Sequence, residues 1–311
     1  MRKILCNLCG QNNTKLLFKL RDLYIRKNDQ TEFFLVKCNQ CGLVYLNPQP
    51  TYQELSPFYQ GEYFQLLENQ MQKRGKLYKF LRKIRRKLLP RFVPKFYKYG
   101  VMENRAGKFL DIGCGTGIQD TQFIKDFPNW EFYGVEPDEV AFKEASKIDG
   151  FKVKKGFLED AQYPAKFFDI IFMHHVLEHL PDPKSTLLEC RRILKDNSKL
   201  IITIPNYDSL SSKIFGKYWR HLDIPRHLFH FTNKTINQLL EKTGFCIERL
   251  NYEIADGSFL NSLLNSIHID SSKFDNSLII IAIRFSGKPL GKLVEKFKLA
   301  EALNILANKK I

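Results

Sequence analysis

Residues 108–117 read KFLDIGCGTG, an apolar run that ends in Asp111 and then places glycine at 113, 115 and 117. Glycines in a turn after a strand let a ligand approach the backbone closely, and the helix that follows presents free amides at its start. Such turns bind nucleotide-like cofactors. A dinucleotide fingerprint needs its third glycine three positions after the second. That position is Ile118, whereas the glycine stands at 117. One strand, helix and strand later, EFYGVEPDEV puts Glu136 at the end of an apolar run, where a carboxylate can accept both hydroxyls of a ribose. From Gly107 onward KFLDI, EFYGVE, FKVKKG, FDIIFM, KLIITI, FCIERL and NSLIIIAI are candidate strands separated by helical stretches. That alternation implies an α/β fold with a Rossmann-like, seven-stranded, mostly parallel sheet. Residues 251–276 lack an obvious crossover helix, so the last strand is expected to be antiparallel.

DIGCGTG followed by Glu136 resembles the cofactor signature of class I S-adenosylmethionine-dependent methyltransferases, over residues 107–284. The resemblance implies Gly113, Gly115 and Gly117 against the amino-acid part of the cofactor, Asp111 nearby and Glu136 on the ribose. GFLEDAQYP (156–164) resembles the segment flanking the adenine, with Leu158, Glu159 and Asp160 as candidates. FDIIFMHHVLEHLPDP (168–183) resembles the segment after the fourth strand in a broad group of small-molecule methyltransferases. It implies His175, Glu178 and His179 at the carboxyl edge of the sheet, beside the sulfonium. A histidine there can deprotonate a hydroxyl, or it can be structural, with Glu178 fixing the first turn of a helix. WxxLDxPRHLxHFT (219–232) is similar to a segment of methyltransferases that also carry an amino-terminal Cys-x-x-Cys ribbon. On that resemblance it lies over the substrate side, where Trp219, Asp223, Arg226, His227 and His230 supply an aromatic wall, an anion clamp and candidate bases. Ordinary packing is the competing reading for each of these side chains.

Cys6-x-x-Cys9 and Cys38-x-x-Cys41 are each followed directly by glycine, Gly10 and Gly42. Two such knuckles supply four thiolates in a tetrahedron, the donor set of a closed structural zinc site, with no position left for catalysis. The aromatic and β-branched residues between the pairs suit strands of a small zinc ribbon that depends on its metal.

The formal charge of +16 is local. Residues 69–98 hold twelve Lys or Arg and no acid, residues 287–311 hold six Lys against two Glu, and the remainder is neutral. Leu77, Phe80, Leu81, Ile84 and Leu88 give the first patch helical periodicity. A basic amphipathic helix there, around Lys73 to Lys87, packs on the sheet, lies on an anionic membrane surface or guides a phosphate-bearing substrate. The longest apolar run, LIIIAI (278–283), is far short of a membrane span. The start, MRKILCNLCG, lacks a signal-peptide pattern, so a cytoplasmic protein, with peripheral membrane contact at most, is expected.

The expected organisation is a zinc ribbon over 1–50, a basic helical linker over 51–106, a methyltransferase domain over 107–286 with a substrate-side insertion at 206–232, and a basic amphipathic helix over 287–311. The expected reaction is methyl transfer to a small molecule, at a hydroxyl or carbon of a sugar nucleotide, glycan-lipid intermediate or secondary metabolite. RNA methylation is the alternative, served by the ribbon and the basic patch. It is disfavoured because no Asn/Asp-Pro-Pro-aromatic signature follows FDIIFM.

Overall fold

The computed structural model describes residues 1–23, 30–59, 102, 106–254, 258–267 and 294–310. They fall into two compact units, one of Met1–Val93, Pro205–Asn233 and Tyr252–Ala302, the other of Pro94–Ile204, Lys234–Asn251 and Leu303–Ile311. Among the described residues no helix is long and apolar enough to cross a membrane.

In the first unit, β1 (Thr14–Leu20), β2 (Phe33–Cys38) and β3 (Val44–Leu46) form an antiparallel meander. A fourth strand, β9 (Phe229–His230), adds to β3, with Tyr45 opposite Phe229 and their rings stacked 6.1 Å apart. The stretch 206–232, expected to be an insertion in the sheet domain, therefore supplies a strand to the ribbon's sheet. The reason is main-chain pairing, reinforced by the bond from the Leu46 N–H to the Leu228 carbonyl (2.9 Å). Helix α1 (Tyr52–Tyr59) sets Phe58 edge-on against Phe33. Helices α5 (Leu210–Phe215) and α7 (Ser258–Ser266) are joined through the buried Glu301 carboxylate, which accepts from Ser211, from Ser258 Oγ (3.1 Å) and from Trp219 Nε1 (3.0 Å).

The second unit holds β4 (Gly107–Ile112), α2 (Asp120–Asp126), β5 (Trp130–Glu136), α3 (Glu139–Ala145), β6 (Phe151–Lys155), β7 (Phe168–His174), α4 (Pro183–Ile193), β8 (Leu194–Pro205), α6 (Asn233–Lys242), β10 (Phe245–Glu253) and β11 (Ala302–Lys309). Their seven strands lie in the order β10-β11-β8-β7-β4-β5-β6. The pairs β4–β5, β4–β7, β5–β6 and β7–β8 are parallel. Strand β11 runs against both neighbours. Lys199 and Thr203 of β8 bond Asn308 and Asn304 in reversed order, and Gly244 and Cys246 bond Lys310 and Asn308 likewise. The expected parallel sheet with its last strand antiparallel is thus observed.

The identity of that last strand differs from expectation. Residues 302–309, expected as part of the helix over 287–311, form β11, because Leu303, Ile305, Leu306 and Ala307 are buried in the sheet. A short apolar run does not by itself choose between helix and strand. The candidate strand at 276–283 and the basic helix at 73–87 lie outside the described residues.

From β4 the chain proceeds to β5 and β6 on one side, then crosses back to β7 and β8 on the other, so the direction of winding reverses at β4. Parallel sheets bind ligands at the carboxyl ends of strands flanking such a switch point. The core beneath is aromatic, with the Phe109 ring 5.5–5.9 Å from those of Phe123, Phe132 and Phe172. Phe109→Ala is expected to lower unfolding free energy by about 3–5 kcal/mol, measured by urea titration.

Candidate active site

The loop after β4 turns on three glycines with positive φ, +67° at Gly113, +56° at Gly115 and +69° at Gly117. Two of them are enclosed by protein. A Cβ at Gly113 would stand 2.7 Å from Val176 Cγ2, and one at Gly117 would stand 2.5 Å from Ile148 Cδ1. A Cβ at Gly115 would meet nothing within 4 Å. That open cradle is where a ligand can lie on the backbone.

Glu136 ends β5 beside the loop. Its Oε2 accepts from the Gly115 N–H (2.8 Å) and its Oε1 from the Asp138 N–H (2.9 Å). Burial raises its pKa, and these two backbone bonds oppose the rise. Two further acids lie below. Asp111 is buried on β4 and its pKa is pushed well up by burial, then by Asp120 and Glu136. Asp120, in the first turn of α2, is buried and pushed up to about 7. Asp120 was not among the sequence candidates, because an acid in the first turn of a helix reads as an ordinary dipole partner.

The chain leaves β7 through His175, whose φ of +56° is unusual for a residue with a Cβ. Its N–H donates to the Thr203 carbonyl (2.9 Å), and its Nδ1 lies 3.2 Å from Oε1 of Glu178, a carboxylate only 1% exposed. In the tautomer with its proton on Nδ1, the imidazole donates to Glu178 and Nε2 is left to accept a proton. His179 closes the short turn Leu177–His179, donating its N–H to the Val176 carbonyl (2.9 Å). His174 sits edge-on to His175 at 4.6 Å, and desolvation together with His175 lowers its pKa to about 3, which keeps it neutral. Leu158 is buried within the turn Leu158–Ala161, Glu159 accepts from Thr186 Oγ1 (2.7 Å), and Asp160 accepts from the Phe157 N–H (3.0 Å).

Residues 79–250, more than half the chain, match the family model described as "Methyltransferase domain". The chain belongs to the class I S-adenosylmethionine-dependent methyltransferase family. An uncharacterized methyltransferase of Schizosaccharomyces pombe is 30% identical over 161 residues, 46% of this chain and 56% of that protein. A ubiquinone biosynthesis O-methyltransferase of Cronobacter sakazakii is 29% identical over 37% of this chain and 51% of its own length. A tRNA U34 carboxymethyltransferase of Aliarcobacter butzleri is 28% identical over 43% and 46%. The methyltransferase thus spans about half the length of these curated relatives. A solved S-adenosylmethionine-dependent methyltransferase from Methanosarcina mazei is 15% identical, with a TM-score of 0.47, over 71% of this chain and 99% of that one.

In the chain's other unit, Arg226, Asp223, Trp219 and His227 have polar groups engaged within the protein. Arg226 is fully buried and forms ion pairs with Asp22 (3.0 Å) and Asp223 (2.8 Å), while Nη1 also reaches the Phe58 carbonyl (3.5 Å). The Asp223 carboxyl is held far below the ordinary range by Arg226, Arg220 and His227 against its own burial. Arg226, the residue of this segment suited to clamp an anion, thus lies in an internal ion-pair cluster, because Asp22 and Asp223 satisfy the guanidinium within the protein. Trp219, expected as a substrate wall, is 1% exposed and bonded to Glu301. His227 Nδ1 lies 2.8 Å from the His221 carbonyl, and His230 is buried in β9 with its ring 5.7 Å from Tyr207.

The four cysteine sulfurs, Cys6, Cys9, Cys38 and Cys41, lie within 4.8 Å of one another. Both knuckles are built alike. The N–H groups of Gly10 and Gly42 return to the carbonyls of Cys6 and Cys38, and the N–H groups of those cysteines reach the carbonyls of Gln11 and Leu43. Burial raises the Cys41 thiol to about 11, whereas neighbouring N–H groups outweigh burial at Cys38 and bring it to about 7. The donor set and spacing fit a tetrahedral metal.

The glycines separate packing from binding. Gly115→Ala is expected to cost about 1–2 kcal/mol for its positive φ and to weaken S-adenosylmethionine affinity about tenfold or more. Gly117→Ala adds overpacking of about 1–3 kcal/mol against Ile148. Calorimetric titration and thermal melting of the two variants check the contrast.

Proposed function

We propose that the enzyme transfers the methyl group of S-adenosylmethionine to a small-molecule acceptor, at a hydroxyl or acidic carbon, with His175 as general base and Glu178 as the residue that positions it. The acceptor class favoured is a sugar nucleotide, glycan-lipid intermediate or secondary metabolite. The observation that carries the reading is the His175–Glu178 pair. A histidine with a strained backbone is held at the carboxyl end of β7 with one ring nitrogen on a buried carboxylate. Strain of this kind costs about 1–3 kcal/mol and gathers at functional sites.

S-Adenosylmethionine, when bound, supplies an electrophilic methyl on a positively charged sulfur. Gly115 offers the open cradle and Glu136 the carboxylate beside it. His175 takes the acceptor's proton at Nε2, and Glu178 stabilises the imidazolium that results. Alignment of the reactants can supply about 7–11 kcal/mol, and general base catalysis about 10²–10⁴ in rate. The name of the Cronobacter sakazakii relative, an O-methyltransferase, supports a hydroxyl acceptor. We also propose that the four cysteines hold a structural zinc, which joins the two knuckles of the small sheet.

RNA as acceptor is the second reading, favoured by the tRNA-modifying relative and by the twelve basic residues over 69–98. Labelled cofactor incubated separately with purified RNA and with small-molecule extract decides between them, and label recovered in RNA alone would overturn the small-molecule reading. His175→Asn is expected to lower kcat by about 10²–10⁴ with cofactor affinity unchanged. Glu178→Gln should lower kcat more than it alters KM. Elemental analysis is expected to give about one zinc per chain, lost when Cys6 and Cys38 are replaced together.

A further inference from the structure

We infer that Asp111 and Asp120 form an acid pair beneath the glycine loop that shares one proton, and that a cationic ligand in the loop displaces this proton, so that cofactor binding is coupled to proton release. The inference rests on the proposed cofactor site and assigns that site a regulation.

Asp120 is 0% exposed, and neither carboxyl oxygen has a hydrogen-bond donor among the described residues. The group within hydrogen-bonding reach is another acid, Asp111, itself buried on β4. Two carboxylates have no hydrogen to place between them. A bond between these side chains therefore needs one of them protonated, and burying two bare charges together is the costly alternative. The other titratable groups acting here bring no positive charge. Glu136 of β5 acts on Asp111, and the Cys114 thiol of the loop is itself pushed up by burial and by all three acids. Glu136 already receives two backbone N–H bonds, which leaves the pair below as the place where a proton is stored. Asp120 pushed up to about 7 agrees with this geometry.

The open space over Gly115 adjoins Glu136, whose charge acts on Asp111. A cation entering it favours the doubly ionised pair. The O–H bond of the shared proton breaks, its electrons stay on the carboxylate, and the proton passes to solvent buffer. The amino-acid part of the cofactor, which the resemblance lays on these glycines, brings an ammonium that the donor and its demethylated product share, so both release the proton. Affinity for both should rise as pH rises through the titration of the pair.

The test is isothermal titration of the full-length protein with S-adenosylmethionine and with S-adenosylhomocysteine, in phosphate and in Tris, at pH 6.5 and 8.5. The apparent enthalpy for the donor at pH 6.5 should differ between buffers by an amount equal to release of up to about one proton. The release should be alike for the product and near zero for both at pH 8.5. Asp120→Asn should bind the donor with a buffer-independent enthalpy. Clear donor binding with no buffer dependence in the wild type, or undiminished release in Asp120→Asn, would overturn the inference. Absence of any donor binding would instead overturn the cofactor reading beneath it.

A second measurement needs no ligand. A carboxyl whose pKa is raised on folding binds more protons in the native state than in the unfolded one, so its contribution to stability falls as pH rises from about 4 to about 7. The wild type should lose melting temperature relative to Asp120→Asn, or to Asp111→Asn if the first variant does not fold, across that range. Parallel curves would sink the inference.

Discussion

The bond from the Gly115 N–H to Glu136 Oε2 joins the apex of the loop after β4 to the end of β5, and the shape of the loop depends on it. Glycine makes the loop possible, but a loop of glycines has many conformations to lose. Protein contacts remove that freedom at Gly113 and Gly117, where Val176 and Ile148 leave no space for a side chain. At Gly115 nothing packs above the backbone, and the Glu136 carboxylate supplies the restraint from the side. The apex is therefore ordered and open at once. The carboxylate does this under a cost, since burial opposes its charge and two N–H groups only partly offset that.

Much of this was legible in the order of residues. KFLDIGCGTG and Glu136 identify a strand, a turn and a second strand end, and parallel pairing of β4 with β5 brings Ile112 level with Val135, one residue before Glu136. FDIIFMHH likewise predicts a strand ending near the histidines, and β7 ends at His174. The positive φ of His175 was not legible, since it arises where the chain turns out of the sheet, with its N–H fixed to Thr203 of the neighbouring strand. Asp120 was missed for a related reason. Its neighbour Asp111 stands nine positions earlier, and only the return of the chain through the glycine turn brings the two acids together.

The segment WRHLDIPRHLFHFT shows the opposite failure. Tryptophan, arginine, aspartate and histidines in close succession suggest recognition of a ligand, yet recognition and burial use the same chemistry. Arg226 has a planar fork of donors that suits a bound anion, and that fork is filled by Asp22, some two hundred positions away in the chain, and by Asp223. Nothing within the segment announces Asp22. The misreading of 302–309 has the same source, because the groups of β8 that donate to the Asn304 and Asn308 side-chain oxygens, Thr203 Oγ1 and Lys199 Nζ, stand about a hundred positions earlier in the chain.

The three strand ends at the switch point, after β4, β5 and β7, each hold a feature that folding alone would not favour. They are an acid beneath a loop, a buried carboxylate and a histidine in left-handed conformation. Single instances occur in any protein, and each costs stability. Their convergence on one edge of one sheet needs a common cause. A cationic ligand is one such cause, since when bound it offsets the charge of these acids, which in its absence only a held proton relieves. The crowding of acids makes the unliganded site unfavourable, so its relief adds to the affinity for a cation. The aromatic layer of Phe109, Phe123, Phe132 and Phe172 directly below supplies the burial that lets the sheet tolerate that arrangement.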